Sequence, residues 1–285
     1  MIDPTNTPEF RFARMIQRYV DDIVRRSSVQ IFAANLGSLR QERGLYIVEG
    51  PPIAIIGSGT LFCVGAQHFL ITAAHVLEAF RAGELELRIG MGNPTRPHAI
   101  GMSDDDVSMD SVNDVAVIRL HPDLIPRLRG SHFLQMSDIA LKTDLTDWRC
   151  VLFGYLEKGT QPNKDYSKLI LHNFMYWTTK YDGKVNADSY DASRHLLVEY
   201  HTVGWSIYDA VPSTNPKSLR GLSGSSLWQV FSPKHVEADW TSEVPKVVAV
   251  ENLVYDDRIV RCTRWELVLP LLARFEPVLL EQFAT

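Results

Sequence analysis

The sequence predicts a mainly β protein with a helix at each end. The central region, from about residue 29, consists of short apolar runs rich in β-branched and aromatic residues, such as PIAIIG, HFLITA, DVAVIRL and KVVAVENL. Clusters of Gly, Pro, Asn and Asp separate these runs and indicate turns. Many short strands joined by turns favour a barrel or a sandwich over a parallel α/β sheet.

The N-terminal element is predicted to be an amphipathic helix over residues 7–26. Thr7 suits the N-cap and Pro8 suits the first turn. Apolar residues recur at helical spacing on one face, namely Phe12, Met15, Ile16, Tyr19, Val20, Ile23 and Val24. We expect this face to pack on the body of the protein. Docking on a partner or on a membrane surface is the weaker alternative, because Asp21 and Asp22 dilute the basic character of the helix.

The C-terminal element returns to helical spacing after Thr263. Its apolar positions are Trp265, Leu267, Val268, Leu271, Leu272, Phe275, Val278 and Leu279. Pro270 and Pro277 interrupt this pattern, because proline removes a backbone donor and clashes inside a helix.

Size, composition and charge are those of an ordinary globular protein. The chain has 285 residues, of which 45% are hydrophobic and 22% charged, and it can bury one large core or two smaller ones. The net charge is −5 and the basic residues are scattered, which argues against a nucleic-acid partner. The N-terminal stretch carries charges throughout, so we expect neither a secretory signal nor association with a membrane.

The cysteines argue for a reducing compartment. Cys63, Cys150 and Cys262 are far apart and form no CxxC pair, so we expect neither a disulfide framework nor a zinc site. No HExxH motif occurs, and we expect no metal and no cofactor. These observations predict a cytoplasmic protein.

Three polar residues at the edges of apolar β segments have the chemistry of a nucleophilic centre. His75 ends the run HFLITAAH, Asp114 opens DVAVIRL, and Ser223 lies in RGLSGSSLW. A nucleophilic serine needs a base and a group that orients the base, and a carboxylate at a buried edge needs a donor such as an imidazole N–H. Taken singly, each residue has a structural interpretation: His75 as a core histidine, Asp114 as a strand cap and Ser223 as a turn residue.

Together, these segments resemble the chymotrypsin-like (trypsin-like) serine peptidases, in their bacterial, disulfide-free branch. The resemblance spans roughly residues 45–265 and includes the GSGTLF strand and RCVLFGYL, which is similar to the strand that opens the second barrel of that family. The chain order His, Asp, Ser also excludes an α/β-hydrolase, in which the serine comes first.

The resemblance implies two antiparallel six-stranded β-barrels with the active site in the cleft between them. Together with the two terminal helices predicted from apolar spacing, it divides the chain into an N-terminal helical extension (1–28), a first barrel with His75 and Asp114 (29–135), a second barrel with Ser223 (136–262) and a C-terminal helix (263–285). Ser223 would be the nucleophile, His75 the general base and Asp114 the residue that orients it. The backbone N–H groups of Gly221 and Ser223 would form the oxyanion hole.

The resemblance also indicates where substrate selectivity would arise. Lys217, six residues before Ser223, takes a position that is an aspartate in trypsin-type enzymes, which argues against selection of Arg or Lys side chains. The later wall of the pocket near ENLVYDD is expected to use Asn252, Leu253 and Val254. The same segment offers three acids that the sequence alone does not place, Glu251, Asp256 and Asp257. Leu222 replaces the aspartate that pairs with a freed N-terminus in zymogens, so we expect no activation of that kind.

The favoured hypothesis is a serine endopeptidase that acts on a protein or peptide substrate, such as one dedicated intracellular effector protein. A non-catalytic protein-binding module on the same fold is the alternative from a different class. An esterase with the same mechanism would differ only in the leaving group.

Overall fold

The computed structural model describes residues 5–35, 39–42, 45–48, 53–81, 85–91, 95, 97–162, 169–185, 189–236, 241 and 244–279. Within them, strands dominate and form two large antiparallel sheets, while helices are few and short apart from the first. No described helix has the length and apolar character needed to cross a membrane.

The predicted N-terminal helix is present as α1, Pro8–Arg26. Its first turn is capped by the Thr7 side chain, which accepts a hydrogen bond from the backbone N–H of Phe10 at 3.2 Å. The predicted apolar face is largely buried against the rest of the protein, whereas Met15 and Tyr19 remain exposed. The helix therefore extends the protein core and leaves part of its predicted apolar surface open to solvent.

The first sheet has seven strands in the order β7-β6-β1-β4-β5-β9-β8. These strands are β1 (Ser28–Asn35), β4 (Ile53–Val64), β5 (Gln67–Thr72), β6 (Leu85–Gly90), β7 (His98–Ala99), β8 (Val107–Asp110) and β9 (Val115–Arg119). Six strands were expected for this barrel. The additional strand is the two-residue β7, which pairs with Arg88 and Ile89 at the edge of β6.

The second sheet has six strands in the order β11-β10-β15-β16-β17-β12, and it agrees with the expected number. These strands are β10 (Arg149–Pro162), β11 (Leu169–Thr178), β12 (His195–Glu199), β15 (Ser226–Phe231), β16 (Lys246–Tyr255) and β17 (Ile259–Arg264). A bridge between Lys180 and Val198 joins the chain just after β11 to β12. Because this bridge connects the two outer strands of the sheet, it closes the sheet into a barrel.

Short elements complete the fold. Two separate hairpins are formed by β2 (Leu39–Glu42) with β3 (Leu45–Val48) and by β13 (Val203–Trp205) with β14 (Pro212–Thr214). The remaining α-helices are α2 (Ala74–Arg81), α3 (Pro233–Val236) and α4 (Leu269–Ala273).

Within the described residues, the predicted C-terminal helix over 263–285 is divided into short helical pieces. A short 3₁₀ turn, Trp265–Leu267, precedes α4, which has Pro270 in its first turn. Arg274 is the C-cap of α4, and helical backbone returns at residues 278–279, just after Pro277. Residues 280–285 of the predicted helix lie outside the described residues. The two prolines thus divide an apolar segment that helical spacing alone joins into one.

Three apolar cores support this arrangement. One lies within the first sheet and α2, and another within the second barrel. The third lies between the two sheets and also takes in α1, the 3₁₀ turn and α4 through residues such as Phe12, Val20, Trp265 and Leu272. The terminal helices therefore cover the outer side of the contact between the sheets and hold them together.

Candidate active site

The three residues expected to form the triad line one cleft between the two sheets. This cleft has a volume of about 510 Å³. His75 comes from α2 and Asp114 from the turn before β9, on the first sheet, while Ser223 comes from the loop before β15, on the second. The packing of the two sheets thus brings together three residues that are far apart in the sequence.

His75 and Asp114 are in direct contact. The ring Nδ1 of His75 lies 3.0 Å from Asp114 Oδ1 and 2.9 Å from Oδ2, and the backbone N–H of His75 donates to Oδ1 at 3.0 Å. With the proton on Nδ1, the ring donates to the carboxylate and leaves Nε2 as an acceptor. The carboxylate therefore orients the imidazole and favours the tautomer with the proton on Nδ1.

The protonation of both groups follows from this contact. The hydrogen bond to Asp114 raises the pKa of His75 above its ordinary 6.5, although partial burial opposes the rise. Burial by itself would raise the pKa of Asp114. The hydrogen bonds from the His75 ring and backbone N–H outweigh it, so the pKa of Asp114 is lowered. The pair thus keeps Asp114 ionised and stabilises a proton on His75.

The backbone around Asp114 is anchored to the second sheet. Asp114 has a φ of 53°, a left-handed conformation that Asp tolerates better than most residues. The Thr263 hydroxyl donates to the carbonyl oxygen of Asn113 at 2.5 Å, and Asn252 Nδ2 donates to the Thr263 hydroxyl at 2.7 Å. These bonds hold the Asp114 turn against β16 and β17.

The loop that carries Ser223 is held by short-range and long-range hydrogen bonds. The N–H groups of Leu222 and Ser225 donate to the carbonyls of Leu219 and Leu222, each at 2.9 Å. The carbonyl of Ser223 accepts a hydrogen bond from the N–H of Ser58 in β4 at 2.7 Å. Ser223 itself is half-buried at the cleft. The loop is therefore fixed to both sheets.

Two N–H groups of this loop remain available. Within the described residues, the backbone N–H groups of Gly221 and Ser223 donate no hydrogen bond, whereas those of Leu222, Gly224 and Ser225 do. Gly221 has a φ of +92°, and a Cβ at this position would come within 2.7 Å of the backbone nitrogen of Glu157. Only glycine fits this turn. That the N–H groups of Gly221 and Ser223 form an oxyanion hole remains a prediction.

No hydrogen bond joins Ser223 Oγ to the His75 ring among the described residues, although both line the cleft. The ring is bonded to Asp114 alone. In unliganded active sites the bond between nucleophile and base is often long and shortens when substrate binds.

The residues expected to form the specificity pocket also line the cleft. Lys217 is exposed at the wall formed by the loop before Ser223, and Leu253 and Val254 lie on β16. Asn252 is buried, and its amide is engaged by Thr263 and by Arg261 Nε at 2.9 Å. Asn252 therefore supports the wall from behind. Which substrate side chain the four residues recognise remains a prediction.

The sequence offers Glu251 for the later wall without placing it, and it does not single out Arg261, yet both line the cleft. Glu251 is 2% exposed and its Oε2 has no hydrogen-bond partner among the described residues. Burial raises its pKa to about 8, and the negative charge of Asp114 adds to the rise. The sequence signal was a single acid within the apolar run VVAVENL, which is unusual for a buried strand.

The residue before Ser223, Leu222, belongs to the apolar core near the site. Leu222 is fully buried in the core of the second barrel, where its side chain packs close to Gly154. An inserted ammonium group would find no carboxylate at this position.

Cys63, Cys150 and Cys262 are all free thiols.

Comparisons with solved structures connect this architecture to proteases. The chain is similar to a scabies mite inactivated protease paralogue, with a TM-score of 0.50 and 12% identity over 89% of this chain and 96% of that one. It is also similar to the Rv3671c protease of M. tuberculosis in its active form, with a TM-score of 0.48 and 17% identity over 91% and 85% of the two chains. No protein-family model and no curated protein matches the chain.

At these identities the likeness concerns the fold alone. The chain has a mainly β, chymotrypsin-like protease fold of two antiparallel sheets, with an added helix before it and a short helix after it.

Proposed function

We propose that this protein is a serine peptidase that cleaves peptide bonds through an acyl-enzyme on Ser223. The observation that carries the proposal is the hydrogen-bonded pair of His75 and Asp114 in a cleft that Ser223 also lines. The two N–H groups of Gly221 and Ser223, which have no partner within the described residues, supply the remaining element of an acyl-transfer site.

The reaction proceeds in two steps, acylation of Ser223 and hydrolysis of the acyl-enzyme. Ser223 Oγ attacks the carbonyl carbon of the peptide bond and gives its proton to His75 Nε2. The C–N bond then breaks, the leaving amine takes the proton from His75, and an ester remains on Ser223. A water molecule attacks this ester with His75 again as the base, which releases the acid and restores the serine hydroxyl. Asp114 stabilises the imidazolium in both steps.

A dedicated protein or peptide is the expected substrate, and the reducing cytoplasm is the expected compartment because all three thiols are free. The narrower resemblance to the bacterial, disulfide-free branch of the family belongs with this proposal and rests on the sequence motifs.

One observation favours a second function. Among the described residues, Ser223 is not hydrogen-bonded to His75, and an inactivated protease paralogue has a similar fold. A non-catalytic module that binds peptide in the same cleft is therefore the alternative. It predicts peptide binding without covalent reaction at Ser223.

Labelling with a fluorophosphonate probe separates the two functions. The probe is added to the full-length, uncut protein, and the modified residue is located by mass spectrometry. We expect an adduct on Ser223, because the reaction needs an activated serine and an oxyanion site but no particular substrate side chain.

The controls are two serine variants. Ser223→Ala should abolish labelling, whereas Ser218→Ala, which removes an exposed serine of the same loop, should leave it intact. An unlabelled wild-type protein with normal thermal unfolding would overturn the peptidase proposal and favour the binding module. Labelling only after cleavage near the N-terminus would contradict the expectation drawn from Leu222.

A further inference from the structure

Arg261 places a buried positive charge in the cleft. The residue is 7% exposed, and its guanidinium is bonded only to neutral groups: Nε donates to Asn252 Oδ1 at 2.9 Å and Nη1 donates to the carbonyl of Ser189 at 2.7 Å. Nη1 also lies 3.5 Å from the Tyr255 hydroxyl. Within the described residues, no carboxylate lies within 4.0 Å of this guanidinium and Nη2 makes no hydrogen bond. A buried cation of this kind is normally paired.

Lys217 adds a second cation to the same cleft. It is exposed on the wall and forms no ion pair within the part of the chain that the structure describes. Arg220 also lines the cleft, but its Nε lies 3.1 Å from Glu157 Oε2, so its charge is already compensated. Lys217 and Arg261 are thus the two cations available to a ligand.

Within the described residues, no acidic group of the cleft forms an ion pair with Arg261 or Lys217, although the charge of Arg261 acts to lower the pKa of both Asp114 and Glu251. Asp114 is bonded to His75, and Glu251 is largely protonated at neutral pH because burial raises its pKa to about 8. Asp257, an exposed residue, is the remaining carboxylate in the lining. Among the described lining residues, the positive charges of Lys217 and Arg261 therefore exceed the negative charge of the exposed Asp257.

We propose that the cleft selects peptides that carry an acidic side chain close to the scissile bond, with Arg261 and Lys217 as the groups that bind its carboxylate. The inference rests on the proposed function, since it names the substrate class of the same site. The planar guanidinium offers two N–H donors on Nη2, which suits a carboxylate, and Lys217 contributes a mobile charge at the wall. In a half-buried cleft such charge-assisted hydrogen bonds are stronger than at an open surface.

Binding is measured first on the full-length Ser223→Ala protein, so that the result does not depend on turnover. The probes are fluorescein-labelled, C-terminally amidated peptides in which one Glu, Gln or Lys is moved through successive positions. We expect the best Glu peptide to bind about tenfold more tightly than its Gln counterpart, as one charge-assisted hydrogen bond implies. A second series with a free C-terminus and no acidic side chain tests whether a terminal carboxylate is what the cleft binds.

Three variants assign the effect to its residues. Lys217→Glu should reduce the preference for Glu over Gln, and Arg261→Lys should do the same while it keeps the positive charge, because the lysine cannot form the planar fork. Lys234→Glu makes the same charge change at an exposed position on α3 that does not line the cleft, and should leave the preference unchanged. Thermal unfolding of each variant checks that it is folded.

The outcomes are distinct. Equal binding of Glu and Gln peptides, tighter binding of Lys peptides, or binding only through a free C-terminus would each overturn the inference. A preference for Glu that persists in both Lys217→Glu and folded Arg261→Lys would overturn the assignment to these residues. If Glu peptides bind selectively but the wild-type protein does not hydrolyse them, the peptidase proposal fails while the inferred selectivity stands.

Discussion

The hydroxyl of Ser58 donates a hydrogen bond to the carbonyl oxygen of Gly221 at 2.8 Å and accepts one from the backbone N–H of Tyr155 at 2.9 Å. Ser58 lies on β4 of the first sheet, whereas Gly221 and Tyr155 belong to the second. One serine therefore orients the Gly221 peptide group from across the interface. Because a peptide unit is planar, the Gly221 N–H is oriented together with the Arg220 carbonyl, and this carbonyl accepts a hydrogen bond from the Glu157 N–H at 2.9 Å.

Gly221→Ala should remove most of the activity with a small effect on substrate affinity. The added Cβ would come within 2.7 Å of the Glu157 nitrogen and 2.9 Å of the Tyr155 carbonyl, so the backbone must shift. Loss of one oxyanion donor lowers kcat by about 10²–10³ in comparable sites. Steady-state kinetics on a cleaved peptide, or the rate of fluorophosphonate labelling, gives the measurement.

The matched control for this variant is Gly101→Ala. A Cβ at Gly101 meets no atom within 4 Å, so this substitution should preserve activity. Retention of full activity in Gly221→Ala would show that this N–H does not contribute to the reaction.

Asp114→Asn should keep the geometry of the cleft but lower kcat by roughly 10⁴, judged from the catalytic triad in other enzymes. The amide carries no negative charge, and its NH₂ group can donate to Nδ1, so the imidazole loses its preferred tautomer. Kinetics at pH 8 together with circular dichroism measure the effect. A folded variant with near-normal kcat would contradict the role of Asp114.

The pH dependence of the reaction should reflect the His75–Asp114 pair. His75 must be neutral to accept the serine proton, and the hydrogen bond to Asp114 raises its pKa above 6.5. The value of kcat/KM should therefore rise with pH through a pKa above 6.5. A rise centred below 6.5 would indicate that the pair is not formed in the active protein.

Glu251 should make the folded protein less stable as the pH rises. Burial raises its pKa from 4.5 to about 8, so folding takes up a proton between these values. The stabilising effect is complete below about pH 4.5 and is lost as the pH rises through about 8. The Gln side chain of Glu251→Gln is neutral at every pH and does not lose this stabilisation. The difference between the Tm of the variant and the Tm of the wild type should therefore become more positive from pH 5 to pH 9.

The comparison for this variant is Glu78→Gln, which changes an exposed acid on α2. At pH 9 the Tm gain of Glu251→Gln over the wild type should exceed that of this surface variant. If the Tm of Glu251→Gln and the Tm of the wild type change in parallel with pH, Glu251 has the same pKa in the folded and unfolded states.

Leu222→Ala should lower the free energy of unfolding by about 2–5 kcal/mol, the usual cost of removing a buried leucine side chain. Leu222 is fully buried in the apolar core of the second barrel, so its replacement by Ala removes apolar contacts and leaves a cavity. Urea unfolding gives the measurement, and Val112→Ala, at a 78% exposed position, serves as the control with a small effect. A Leu222→Ala cost as small as that of the control would exclude the packing role.

Much of the local structure was predictable because it depends on neighbouring residues. Thr7 and Pro8 define the start of α1 through capping and a preset φ. The apolar runs with turn residues between them define most strands, and the motifs around His75, Asp114 and Ser223 identify which residues to look for. These signals are local, and the sequence determines them without the rest of the fold.

The charge balance of the cleft depended on the tertiary structure. The pairing of β16 with β17 is irregular between Glu251 and Leu253, so strand alternation could not predict which side chains face the cleft. Whether Glu251 is protonated and Arg261 lacks a counter-ion depends on burial and on neighbours distant in the chain, because desolvation acts only once the two sheets have packed together.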